Sequence, residues 1–176
     1  MKILDIGSGT TNGPETTWKD AEVFRMDIDE EMHPDYVHDI TQPLPEEIKG
    51  QFDIVYCSHI MEHISWRQVI GALKNISEAA KPGGELLIIV PDITWACKQI
   101  LEGKYTLGVV GVLYGGQHNQ WQYHNTGFTK ETLAQMLKTI GWTVTKWKTE
   151  PFIVIMNGIR ETAEQIVMFA KREKEA

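Results

Sequence analysis

The chain has 176 residues, one domain's length with no room for a second core of ordinary size. Apolar residues make up 42% and charged residues 23%, a soluble globular composition, not a disordered or fibrous one. Seventeen basic against 24 acidic residues give a net charge of −7, with no basic stripe to displace phosphate counterions, which sets nucleic acid aside as the substrate.

The longest apolar runs, such as 86–91 and 152–156, are too short to cross a bilayer. Met1 leads at once into a strand-like segment without a signal-peptide pattern, and two cysteines cannot make a disulfide framework. The expectation is a cytoplasmic protein with no membrane partner.

Lys2–Ile6 is a short apolar run ending in the turn Gly7-Ser8-Gly9 and reads as a buried strand. Residues 23–28 form a second strand, 36–39 a very short third, and Phe52–Ser58 a fourth. Ser65, with Gln68 three residues on, has the form of a capping box. Trp66, Val69, Ile70, Leu73, Ile76 and Ala80 then recur at helical spacing until Lys81-Pro82-Gly83-Gly84 stops the helix. Residues 85–90 are the fifth strand. Asp92 caps a further helix with Ile93, Ala96, Cys97, Ile100 and Leu101 on one face and Gly103 at its end.

The segment 104–128 holds five of the 15 glycines and has no regular apolar period beyond 107–114. Loops of that length are uncommon and usually functional. With Tyr114, His118, Trp121, Tyr123 and His124 it reads as a substrate lid, mobile until an acceptor binds. Thr129 opens a helix marked by Leu133, Met136, Leu137 and Ile140 and closed by Gly141; residues 142–148 and 165–172 are late strands. Trp66 and Trp142, at a helix start and a strand start, are expected in the core.

Strands alternating with helices predict a single α/β domain over residues 1–176 with a doubly wound, mostly parallel sheet. Such sheets bind ligands off the carboxyl ends of their strands. Gly7 and Gly9 allow a sharp turn and a close approach. Asp27, 20 residues after Gly7, can accept hydrogen bonds from both hydroxyls of a ribose. That pair suits NAD and S-adenosyl-methionine (SAM) equally. Asp5 separates them: a pyrophosphate at the glycine turn would meet a carboxylate, whereas the ammonium and sulfonium of SAM are favoured there. The turn is also GSGTTNG, not a regular GxGxxG.

Leu4-Asp5-Ile6-Gly7-Ser8-Gly9-Thr10 resembles the first motif of class I SAM-dependent methyltransferases. Asp27 matches that family's ribose acid, and Asp39-Ile40 before Gln42-Pro43-Leu44-Pro45 resembles the motif whose acid reads the adenine amino group. The segment Phe52–Ser58 followed by His59-Ile60-Met61-Glu62-His63-Ile64 resembles the fourth motif of the small UbiE-like (type 11) branch, and Lys81-Pro82-Gly83-Gly84 is its "LKPGG" turn. Five motifs in order cover residues 2–91. The resemblance implies a Rossmann-like αβα sandwich with an antiparallel last strand. It assigns cofactor contact to Asp5, Gly7, Ser8, Gly9, Asp27, Ile28, Asp39, Ile40, Ser58 and His59.

Two departures follow from the same comparison. The family has a helix before its first strand, and this chain begins at the strand. The family also has a full helix after the glycine turn, where residues 10–22 hold Gly13, Pro14 and four threonines. One face of the sheet is then thinly covered, by Trp18 or by another subunit, and a homodimer is expected from it.

The expected activity is transfer of the methyl group of SAM to a small-molecule or glycan acceptor. A hydroxyl acceptor needs a base, for which His59, His118 and His124 are the candidates; an amine does not. The rivals are a SAM-binding partner subunit without catalysis, an NAD-dependent dehydrogenase, and a zinc peptidase resting on the HxxEH pattern His59–Glu62–His63 alone. Some ubiquinone-pathway and small-RNA methyltransferases carry an acid-x-x-Glu-His arrangement at this place, with a distant His completing a divalent site. That likeness would recruit His59, Glu62 and His63 with His118 or His124. The preferred reading is metal-free, with Glu62 and His63 capping and packing the helix start.

Overall fold

The computed structural model describes residues 1–9 and 13–173. Seven strands form one sheet in the order β3-β2-β1-β4-β5-β7-β6. They are β1 (Lys2–Ile6), β2 (Glu22–Asp27), β3 (Tyr36–Val37), β4 (Phe52–Ser58), β5 (Ala80–Pro91), β6 (Trp142–Met156) and β7 (Ile159–Arg172). The first five pair in parallel, and β7 enters antiparallel between β5 and β6. This is the predicted doubly wound sheet with an antiparallel last strand. The order reverses between β1 and β4, so their carboxyl ends open a crevice there.

The helices are α1 (Gly13–Thr17), α2 (Val69–Ala79), α3 (Ile93–Leu101), α4 (Leu107–Tyr114) and α5 (Lys130–Thr139). Leu73 and Ile76 of α2 and Leu133 and Leu137 of α5 are fully buried with Leu4, Val55, Leu86, Ile88 and Met168 in the main core. Across the sheet Leu87, Ile89 and Val167 pack with Trp18, Tyr56 and Phe169. Trp18 meets the Tyr56 ring edge-on at 6.4 Å, so the chain itself supplies cover where α1 is only one turn long. A third cluster, Ala96, Val109, Val112 and Ala163, ties α3 and α4 to the outer half of the β6–β7 hairpin. No helix among the described residues is long and apolar enough to cross a membrane.

Four expectations are corrected. Helix α2 starts at Val69 and not beside Ser65: residues 65–68 close a turn through Gln68 N–H to the Ser65 carbonyl at 2.7 Å, and the Ser65 hydroxyl caps no helix. Trp66 therefore points outward, 64% exposed, while Trp142 is buried and donates its indole N–H to Ser77 Oγ at 2.7 Å. On α3 only Ala96 of the expected face is buried; Leu101 and Cys97 are exposed. The late strands are also longer than predicted, because residues 149–156 and 159–164 continue the ladder around a turn at Asn157-Gly158, both with positive φ.

Candidate active site

A cavity of about 620 Å³ opens at the carboxyl ends of β1, β2 and β4. On one side lie Gly7, Asp27, Ile28, Asp29, Asp39 and Ile40; on the other lie His59, His63, Gln68, Asn119, Trp121 and Asn125.

Gly7 ends β1 with φ +68, and its N–H donates to the Met26 carbonyl at 2.7 Å. A Cβ there would lie 1.9 Å from Ile60 Cδ1, so both the backbone and the neighbour demand glycine. Asp27 ends β2. One of its carboxylate oxygens accepts the Gly9 N–H at 3.0 Å, the other the Asp29 N–H at 3.0 Å. Two amides thus fix the carboxylate's plane and leave each oxygen a further lone pair for a ligand. Asp39 is set the same way by the Thr41 N–H, 2.9 Å from its Oδ1. The loop behind it is pinned by Asn75, whose amide donates to the carbonyls of Ile40 and Gln42 at 2.9 and 2.8 Å. Met26, Ile28, Ile40, Ile60 and Ile64 give the same cavity an apolar lining.

Asp5 lies beneath this wall and not on it. It is buried on β1, and its Oδ2 has no hydrogen-bond partner among the described residues. Burial, then the charge of Glu15, push its carboxyl up to about 7; Arg25 opposes them and Asp27 adds to them. Ser8, Gly9 and Ser58 likewise stand off the cavity wall, Gly9 acting through Asp27. Residues 10–12 of the glycine turn lie outside the described residues.

His59, just past β4, adopts φ +55 and lines the cavity. Its Nδ1 lies 3.1 Å from Glu62 Oε1 and its Nε2 2.8 Å from Gln165 Oε1. Gln165 is oriented by its own amide, which donates to Glu150 at 3.1 Å. Both ring nitrogens therefore face oxygen acceptors, the arrangement of an imidazolium. Burial alone would lower its pKa, but the Glu62 carboxylate and Gln165 outweigh burial and raise it above the ordinary value. Held this way, His59 donates and does not take up a proton.

The segment 104–128 is only partly a loop. Residues 107–114 are α4, with Val109 and Val112 buried. Beyond it the chain is fastened to the end of β4: the N–H groups of Asn125 and Thr126 donate to the Glu62 carbonyl at 2.7 and 3.0 Å, and Thr126 Oγ1 to that of Ile64 at 2.6 Å. The tip carries Asn119, Gln120, Trp121 and Gln122 onto the cavity wall, while His118 is exposed and off it. His124 is also off the wall and donates from Nδ1 to the Val112 carbonyl at 2.9 Å. The structure brings to the wall His63, for which the sequence suggests a capping role or, in the rival reading, a metal ligand. The amide-rich run Asn119–Gln122 was the one available hint of the second wall.

Residues 1–146 match the methyltransferase domain family. The chain belongs to that family. A stretch of 108 residues is 28% identical to the methyltransferase grgD of a Penicillium species, covering 48% of this chain; the chain spans about a third of that protein, 36%. Among solved structures, a SAM-dependent methyltransferase of Methanosarcina mazei superposes over 99% of this chain and 93% of its own, with a TM-score of 0.75 at 16% identity. The N-methyltransferase NodS of Bradyrhizobium japonicum, in complex with S-adenosyl-homocysteine (SAH), gives 0.62 at 13% identity, over 98% of this chain and 78% of its own. These likenesses place the methyltransferase domain on the Rossmann-like fold read above.

Proposed function

We propose that this methyltransferase transfers the methyl group of SAM to a neutral, hydrogen-bonding acceptor, a small molecule or a glycan. The observation that carries the reading is the Asp27 carboxylate, fixed by the amides of Gly9 and Asp29 and facing the same cavity as Asp39. Two acids set by backbone donors in an apolar-lined cavity fit a ribose diol and an adenine amino group. The side-chain-free turn at Gly7 suits a ligand passing close to the backbone. The neighbours named above include one SAM-dependent and one SAH-bound methyltransferase. SAM supplies an electrophilic methyl on a sulfonium.

The chain's own residues then bind, orient and shield. Asp27 and Asp39 hold the nucleoside, and Ile28, Ile40 and Ile64 exclude water from its flat faces. The opposite wall offers the amides of Gln68, Asn119, Gln120, Gln122 and Asn125 beside the Trp121 ring, and no Lys or Arg lines the cavity among the described residues. Such a wall pairs with uncharged hydroxyl or amide groups, not with phosphates or carboxylates. His59, with both ring nitrogens tied to Glu62 and Gln165, has no lone pair with which to deprotonate an acceptor.

Radiolabelled SAM incubated with a panel of neutral sugars, glycosides and phenolic or amine acceptors tests the reading. Label should appear on an uncharged acceptor, and Trp121→Ala should raise its KM by about tenfold, the loss of one ring-stacking contact. SAH binding without transfer to any acceptor would instead favour a SAM-binding subunit.

A further inference from the structure

We propose that two copies of this chain pair through the outer end of β6, residues 152–156, joining their sheets edge to edge about a two-fold axis at Val154. β6 is the last strand of the sheet, so one of its sides has no strand of its own chain beside it. An open edge is a template for a further strand, and proteins guard it with lysine and proline. The first part of β6 carries exposed Lys146 and Lys148 and then Pro151. Residues 152–156 carry neither a charge nor a proline.

The backbone of this stretch faces the right way. A proline inside a paired strand turns its nitrogen away from the ladder. Pro151 is paired with Glu164 and so sets the parity: Ile153 and Ile155, at steps of two, turn their N–H and C=O groups outward as well. Their side chains lie on the face that α5 meets farther back, where Lys130 stands 4.1 Å from the Trp147 ring. Ile153 and Ile155 are 48% and 53% exposed, and their neighbours on β7, Thr162 and Arg160, are polar and exposed.

The occupant is a second copy because the stretch is its own complement, as a two-fold contact requires. From Val154 outward, Phe-Ile-Val-Ile-Met reads nearly the same in both directions. Antiparallel pairing about Val154 sets Ile153 opposite Ile155 of the partner subunit, and Phe152 opposite Met156 of the partner subunit. The outward N–H and C=O groups then bond reciprocally, and the isoleucines of both copies meet on one face, a favoured cross-strand pairing. Each Arg160 stands at the far end of its own row, beyond Ile155, so like charges stay apart. The interface is short, so the dimer is reversible and forms in the micromolar range. The same strand holds Phe152 against the His59 ring, 5.0 Å between centroids, and Val154 against α4, where a Cβ on Gly111 would stand 2.5 Å from Val154 Cγ1. Pairing therefore stiffens the strand that backs His59 at the cavity. The face beside α1, which suggested a partner from sequence, is covered instead by Trp18.

Sedimentation velocity of the full chain across the micromolar range tests the pairing, with circular dichroism to confirm folding of each variant. A monomer–dimer equilibrium is expected. Ile153→Lys/Ile155→Lys sets lysines of both copies against each other and should weaken dimerisation by about 100-fold or more. Ile153→Pro removes an outward N–H that the monomer's ladder does not use and should weaken it by about tenfold. Leu101→Lys, at an 88% exposed apolar residue on α3, should leave it unchanged. A chain that stays monomeric throughout, a dimer that survives either β6 variant in folded form, or one lost equally in Leu101→Lys would overturn the proposal.

Discussion

Ile60 occupies the space into which a side chain on Gly7 would project: a Cβ at Gly7 would stand 1.9 Å from Ile60 Cδ1. The first glycine of the turn is thus locked against the residue that follows His59, in the segment just past β4. Gly9, two residues on, has φ +48, and among the described residues no atom lies within 4 Å of its Cβ position.

Gly7→Ala and Gly9→Ala should therefore differ. Gly9→Ala costs only the left-handed backbone, about 1–2 kcal/mol. Gly7→Ala adds a clash with a packed isoleucine and should cost more and weaken SAH binding as Ile60 is pushed into the cavity. Urea denaturation and calorimetry on both variants check this; equal losses would refute the packing argument.

Asp27→Ala should remove most SAH binding. Each charge-assisted hydrogen bond is worth about 1.5–3 kcal/mol, so losing two weakens affinity by about 100-fold or more. In a thermal-shift assay the stabilisation of about 2.7 kcal/mol given by ligand at a hundredfold excess over Kd should nearly vanish. A shift equal to that of the wild type would remove Asp27 from the site.

Asp5 gives a pH dependence. Its carboxyl titrates near 7 in the folded chain against 3.8 as the ordinary value, chiefly through burial. The folded state then keeps a proton that the unfolded state has released, so this contribution to stability is full below about pH 4 and is lost as pH rises towards 7. The difference is on the order of 4 kcal/mol. Asp5→Asn should match the wild type in stability near pH 4 and exceed it at pH 8 in the absence of SAM. Denaturation at both pH values reads this, and the same difference at each would contradict it.

The tryptophans give a stability contrast. Trp142 is 2% exposed and bonded to Ser77, so Trp142→Ala should cost about 3–5 kcal/mol. Trp66 lies on the surface, with the Arg67 guanidinium 4.6 Å from its ring, and Trp66→Ala should change stability by less than about 1 kcal/mol. Denaturant midpoints decide between them.

What the sequence made legible was local. Apolar runs followed by Gly or Asp mark the inner strands, and the spacing of Gly7, Asp27 and Asp39 brings three residues to one cavity. Residues 149–156 escaped because β6 is the outer strand and tolerates Pro151, which separates the apolar run 152–156 from the strand before it and reads as a strand end. Ser65 had the letters of a cap, but its carbonyl closes a turn first. The second wall was illegible for another reason: Asn125 reaches the carbonyl of His63, 62 residues earlier, a contact that no local period encodes.

Calorimetric titration of the chain with SAH, beside NAD⁺ under the same conditions, tests the central claim most directly. SAH should bind one to one with NAD⁺ giving no heat of binding, and Asp27→Ala should abolish the SAH signal. Binding of NAD⁺ in preference to SAH, or silence toward SAH by a folded chain, would contradict the assignment of this cavity to SAM.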